Sequence, residues 1–310
     1  MSARKEQSSA RRAPDAWALV LASVLWGTTG TAASFFPHDV SPLAVGACTM
    51  GIGGILLFVF SARDAVAAIR DASSRRWLLI GSLGVFAYPL AFYSAMNLAG
   101  VAVGNVVALG TGPVFAALLE WMLERRPLSK FWAACTVLAV VGVALLAATG
   151  GRTEGASGSA STVLGVALGL VAGFSYALYT YSSTRAIRAG HGSSAVMGGM
   201  FGLGALGLIP VLIVFGAPLL QSWGTVSLAL YLAVGPMFVA YLLFGIGMRS
   251  LSSSTATTIT LLEPEVATVL AVVVVGEHLQ PLGWVGLAAI LVAVALLSTA
   301  RQTAAEGGSP

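Results

Sequence analysis

Charge is almost absent from long stretches of this chain, and that limits its fold more than any other feature. Only 9% of the residues are Asp, Glu, Lys or Arg, while 57% are hydrophobic. A soluble domain carries about a quarter charged residues, so this chain cannot coat a water-facing surface. A helix of roughly 20 apolar residues crosses the ~30 Å hydrocarbon core. Ten such runs are expected, at about 16–36, 41–60, 77–98, 101–123, 130–150, 161–184, 193–216, 227–249, 253–275 and 281–300. The fold class predicted is an all-α membrane protein with short loops and no soluble domain. The first run has no small-residue cleavage site and nine more follow, so it reads as a span rather than a signal peptide. Cys48 and Cys135 lie inside apolar runs, where cysteine acts as a small hydrophobe.

The basic residues fix the orientation. Of sixteen Lys and Arg, all but Arg152 fall in the N-terminal tail, in alternate loops or in the C-terminal tail. They are Arg4, Lys5, Arg11, Arg12, then Arg63, Arg70, Arg75, Arg76, then Arg125, Arg126, Lys130, then Arg185, Arg188, Arg249 and Arg301. Positive loops stay in the cytoplasm. Both termini are therefore expected inside, in a multi-pass protein of the inner membrane. The same distribution accounts for the net charge of +4 without a nucleic-acid partner. Trp17, Trp77, Trp121, Trp132, Trp223 and Trp284 fall at or near span ends, as an interfacial belt does. Trp26 lies mid-span.

The two halves resemble each other. A shift of 151 residues puts Pro113 on Pro264 and Val143-Ala144-Leu145-Leu146 on Val294-Ala295-Leu296-Leu297. A shift of 152 puts Phe86, Leu90, Phe92 and Met96 on Phe238, Leu242, Phe244 and Met248. Five spans per half is an odd number, so the second copy enters the bilayer inverted. The expected organisation is a tail at 1–15, a five-helix repeat at 16–150, a linker at 151–160 rich in Gly, Ser and Ala, a second five-helix repeat at 161–300, and an irregular tail at 301–310. Inverted repeats place a transporter's site at their interface near the midplane, beside interrupted helices. Pro113 and Pro264 mark the expected helix breaks.

Leu25-Trp26-Gly27, Leu262-Glu263-Pro264, Gly276-Glu277 and Pro281-Leu282-Gly283-Trp284-Val285-Gly286 make the sequence resemble the drug/metabolite transporter superfamily, in particular its EamA-type ten-helix members. The first half carries a weaker counterpart in Gly112-Pro113-Val114-Phe115 and Glu124. The resemblance spans about residues 16 to 300. It implies a helix basket that opens alternately to each side, with spans one to four and six to nine lining the cavity. Its members move amino acids, amines, drugs, nucleotides or sugars, often outward. Glu265 departs from the pattern, as an additional acid beside the Glu-Pro pair. The first repeat also has 10 residues between Pro113 and Glu124, where the second has 12 between Pro264 and Glu277.

No basic residue lies deep in any expected span, so the buried acids are the candidates for chemistry. A carboxylate at mid-bilayer costs a few kcal/mol or more unless it takes a proton, a cation or a substrate amine. Glu263 and Glu265 are two apart, about 200° around a helix, so a regular helix cannot turn both inward. The resemblance favours Glu263. The polar stripe of Thr257, Thr258, Thr260 and Thr268 favours Glu265. Trp26, Tyr88 and Tyr176 are candidate cavity residues, against a plain packing role; Tyr93, Tyr179 and Tyr241 raise the same choice. Asn105 and Thr111 would contact substrate or bond between helices. Gly165, Gly169 and Gly173 read as a close helix contact. Glu277 and His278 lie outside the membrane, in a solvated or capping role.

The expected function is export of a small metabolite, such as an amino acid or amine, by alternating access with proton coupling. A passive channel is the alternative. A membrane enzyme is disfavoured, because all three histidines map to loops and there is no HExxH and no phosphate-cradling loop. The expected partners are a small molecule and the lipid bilayer, with a homodimer as the expected assembly if one forms. No cofactor or metal is called for.

Overall fold

Within a bilayer each backbone N–H and C=O must find its partner in the chain itself, and helices meet that demand segment by segment. The computed structural model describes residues 16–125, 130–149, 151–152, 159–247, 259–260 and 262–306. The basic N-terminal tail, Arg126, Arg249, Thr257, Thr258 and most of the expected linker lie outside the described residues.

Among the described residues the main helices follow in the order α1 (Ala16–Ser34), α2 (Pro42–Phe60), α3 (Ala62–Arg70), α4 (Ala72–Ala99), α5 (Val101–Glu124), α6 (Lys130–Thr149), α7 (Ser159–Arg188), α8 (Ser193–Phe215), α9 (Trp223–Gly247), α10 (Leu262–Leu270) and α11 (Pro281–Glu306). Among the described residues, α1, α2, α4, α5, α7, α8 and α9 are long and apolar enough to cross a membrane, and α6 and α11 carry the shorter apolar stretches Lys130–Leu145 and Pro281–Leu296. This is a helical membrane protein. The outward faces fit that setting, with Leu206, Ile213 and Val273 at least 71% exposed.

Two features differ from the expected spans. The second loop contains α3, which buries Ala65 and Ala68 and is tied to α4 by Ser74 Oγ donating to the Ala68 carbonyl at 2.6 Å. Asp71 caps α4, accepting from the Ser73 N–H at 2.9 Å, and lies 2.7 Å from His191 Nε2 of the α7–α8 loop. The 301–310 tail was expected to be irregular, yet α11 runs on to Glu306. Ala, Gln and Glu in that segment are strong helix formers, and they outweigh its polarity.

The core lies where the two halves interlock. α4 packs along α7, α2 along α8, α5 along α7, and α6 along α11. The small-residue stripe of α7 meets α5 and its N-terminal junction: a Cβ on Gly165 would lie 2.7 Å from Ala99 Cβ, and one on Gly169 would lie 2.9 Å from Val107 Cγ1. A short antiparallel pairing, Gly151 with Leu279 and Arg152 with His278, joins the region between α6 and α7 to the turn between α10 and α11.

Candidate functional site

Two sequence motifs far apart in the chain meet in space. Gly27 of α1 lies against α10 so closely that a Cβ there would be 2.7 Å from Val266 Cβ and 2.9 Å from the Glu263 carbonyl. That approach brings Trp26 and Glu263 to one cavity, also lined by Tyr88, Tyr176, Tyr179 and Tyr241. It encloses about 620 Å³ of unfilled space, mouth included.

The walls are aromatic. Tyr88 stacks on Phe92 at 5.2 Å, Tyr176 meets Tyr179 edge-on at 5.2 Å, and Trp26 meets Tyr241 edge-on at 5.3 Å. Phe201, fully buried, carries both Tyr179 and Tyr241 on its ring. Hydrogen bonds fix the hydroxyls: Tyr93 donates to Thr49 Oγ1 at 3.2 Å, and the Tyr179 and Tyr241 hydroxyls are 3.4 Å apart. Aromatic rings carry negative π density on their faces, which attracts cations.

Glu263 is the single charged residue among those lining the cavity. It has no hydrogen bond or ion pair among the described residues. Glu265 lies on the exposed side of α10, away from the cavity lining. The helix wheel accounts for this, because two residues along turns the side chain to the opposite face.

Asn105 is 1% exposed, is absent from the cavity wall, and neither its Oδ1 nor its Nδ2 has a partner among the described residues. Pro113 does not break its helix: α5 is continuous from Val101 to Glu124. The missing N–H costs only the bond to the Leu109 carbonyl, and Leu109 borders the cavity. Pro264 lies within α10, which runs without a break from Leu262 to Leu270.

The interruptions lie elsewhere. α9 widens into a π-helical segment, Ala233–Val239, around Pro236, and α10 ends in another, Ala271–Val275. Pro236 and Met237 line the cavity. The Gly235-Pro236 pair was the available signal. Tyr179 was also legible, lying three residues after Tyr176 and so on the same face. Thr49 and Met50 had no signal, since only tertiary packing brings α2 to the site.

A second buried acid is built differently. Glu277 sits in the turn between α10 and α11, outside the spanning helices, and is 2% exposed. Its carboxylate accepts the backbone N–H of Val101 and, at 2.9 Å, that of Ala102, the first residues of α5. Burial pushes this carboxyl up from its ordinary value, and the two N–H donors pull it back.

Comparison with known proteins agrees with this architecture. Residues 15–148 and 163–299 each match the EamA-like transporter family. The chain is 32% identical to the uncharacterized transporter YwfM of Bacillus subtilis, over 93% of this chain and 95% of that one. It is 31% identical to the threonine/homoserine exporter RhtA of Escherichia coli K12, over 89% of this chain and 88% of that one. A solved crystal structure shares the fold with a TM-score of 0.60 at 23% identity, covering 96% of this chain and all of the other.

Proposed function

The chain belongs to the EamA-like transporter family, and from that premise we propose that it is a secondary transporter exporting a small metabolite with an ammonium group, an amino acid or an amine. The observation that carries this reading is one carboxylate, Glu263, set in an aromatic wall with no basic residue beside it. An ammonium ion suits both parts, pairing with the carboxylate and lying against ring faces. The similarity to a threonine/homoserine exporter favours the amino acid.

Transport proceeds by alternating access between two inverted five-helix repeats. Reciprocal packing supports this: α4 lies on α7 as α1 lies on α9, and α5 lies on α7 as α1 lies on α10. A two-fold exchange of the halves interchanges those pairs. The basic loops put both termini in the cytoplasm, so export starts from that side. Glu263 then holds either a proton or the substrate's ammonium group, which couples export to proton entry. Trp26, Tyr88 and Tyr176 form the binding wall.

A metabolite export screen in cells overexpressing the protein tests this reading. Threonine, homoserine or another amine-bearing metabolite should accumulate outside, against its gradient, and collapsing the pH gradient should stop it. Equal flux in both directions, indifferent to the pH gradient, would mean a passive facilitator instead.

A further inference from the structure

A second cavity lies between α5 and α7, with about 440 Å³ of unfilled space, open mouth included. On α7, Tyr176, Thr180, Thr184 and Arg188 recur every four residues, as Ala116, Glu120 and Glu124 do on α5. Residues four apart share a helix face, and these helices pack together. Tyr176 borders the aromatic cavity, while Thr180, one turn on, borders the second one. The two cavities are therefore consecutive levels of one helix pair.

The second level carries opposite charges on opposite walls, acids from α5 and arginines from α7. Glu124 accepts from Tyr181 Oη at 3.1 Å and from Arg185 Nη1 at 3.2 Å. Arg185 also lies over the Trp77 ring, 5.1 Å from its centre, so it is held on two sides. Arg188 is held less firmly. Its side chain is 57% exposed and its Nη1 is 4.0 Å from Glu124 Oε1. Glu120 stands one turn before Glu124, half-buried, and borders the same space.

We propose that this pocket is an entry subsite for a zwitterionic amino acid, with Arg188 receiving the α-carboxylate and Glu120 the α-ammonium group. The proposal rests on the amino-acid export reading and adds the place where substrate is first held. Substrate would then pass one turn along the Thr180 face to the aromatic cavity. Arg125 and Lys130, which follow α5, and Arg185 and Arg188, which end α7, belong to the basic set. The positive-inside rule therefore assigns this end to the cytoplasm, where an exporter collects its cargo. A bracing ion pair at an exposed helix end contributes little stability and has no need of a cavity between its charges.

The test uses full-length protein in proteoliposomes, with the cytoplasmic face presented to substrate. The probes are labelled threonine and 1-amino-2-propanol, which keeps the amine and hydroxyl but lacks the carboxylate. Arg188→Gln should raise KM for threonine about fivefold at nearly unchanged kcat, as loss of one partly exposed charged hydrogen bond does. It should leave KM for the amine unaltered, and Arg188→Lys should recover most of the loss. Glu120→Gln should raise KM for both probes. A fall in kcat at constant KM, or equal effects of Arg188→Gln on the two probes, would reduce these charges to a brace between helices and overturn the subsite. A wild-type protein that moves neither probe overturns the threonine-like amino-acid reading, and the subsite with it, while the export screen decides for any other amine-bearing metabolite. A working wild type with unaffected variants removes the subsite alone.

Discussion

Glu263 and Glu277 stand at the two ends of one stretch of chain, and both are carboxylates shielded from water, yet they are built for opposite ends. Glu277 is sealed at 2% exposure and meets two backbone N–H groups that open α5. Its charge is met by fixed donors and by the positive end of a helix, so it joins the α10–α11 turn to α5. Glu263 faces an open aromatic space and has no partner among the described residues. A group left without a fixed partner can take a mobile one. Burial alone does not distinguish a structural acid from a working one; what occupies its lone pairs does.

The widest separation between the two should come from Glu263→Gln, which keeps the size and removes the charge. We expect transport to fall to the empty-vector level while the melting temperature of the purified protein stays within a few degrees. Glu277→Ala should do the reverse. Removing the carboxylate leaves two buried N–H groups without acceptors, a loss of about 2–4 kcal/mol. Thermal unfolding in detergent should shift down by several degrees, with the rate per folded molecule largely kept. A Glu277→Ala protein that is stable but inactive would erase the contrast.

Gly100→Ala probes the same clamp more gently. Gly100 holds φ at +95°, and a Cβ there would lie 3.1 Å from Glu277 Oε1. A loss of about 1–3 kcal/mol is expected, because φ +95° with ψ 156° is open essentially only to glycine, read as a drop in melting temperature. Glu265→Gln should give the smallest effect. Its side chain is on the exposed side of α10, and transport should stay within about twofold of wild type, as surface changes usually do. A larger loss would return Glu265 to the site.

The helical membrane class was legible because composition and hydrophobic run length report it directly. Gly27 and Glu263 were legible only as separate motifs; their meeting follows from α1 lying on α10, which no local pattern encodes. The Pro113 break was misplaced because a proline removes one hydrogen bond without obliging the helix to end. The widened turn at Pro236 is not legible from the proline alone, because α4 runs on unwidened through Pro89 in the matching helix. Glu277 could be read as solvated or capping, and the choice depended on where the end of α10 meets the start of α5. Asn105 remains a fully buried amide with no partner among the described residues; the cavity does not account for it.

The central claim, that Glu263 exchanges a proton for the substrate's ammonium group, can be read at that side chain. A hydrophobic carbodiimide modifies a protonated carboxyl in an apolar setting, and peptide mass spectrometry locates the adduct. Glu263 should be modified in the membrane-embedded protein, and saturating threonine, or whichever substrate the export screen yields, should suppress the adduct. Glu277, held by its two N–H donors, should show no substrate-dependent change. Modification of Glu263 that is the same with and without transported substrate would contradict the account.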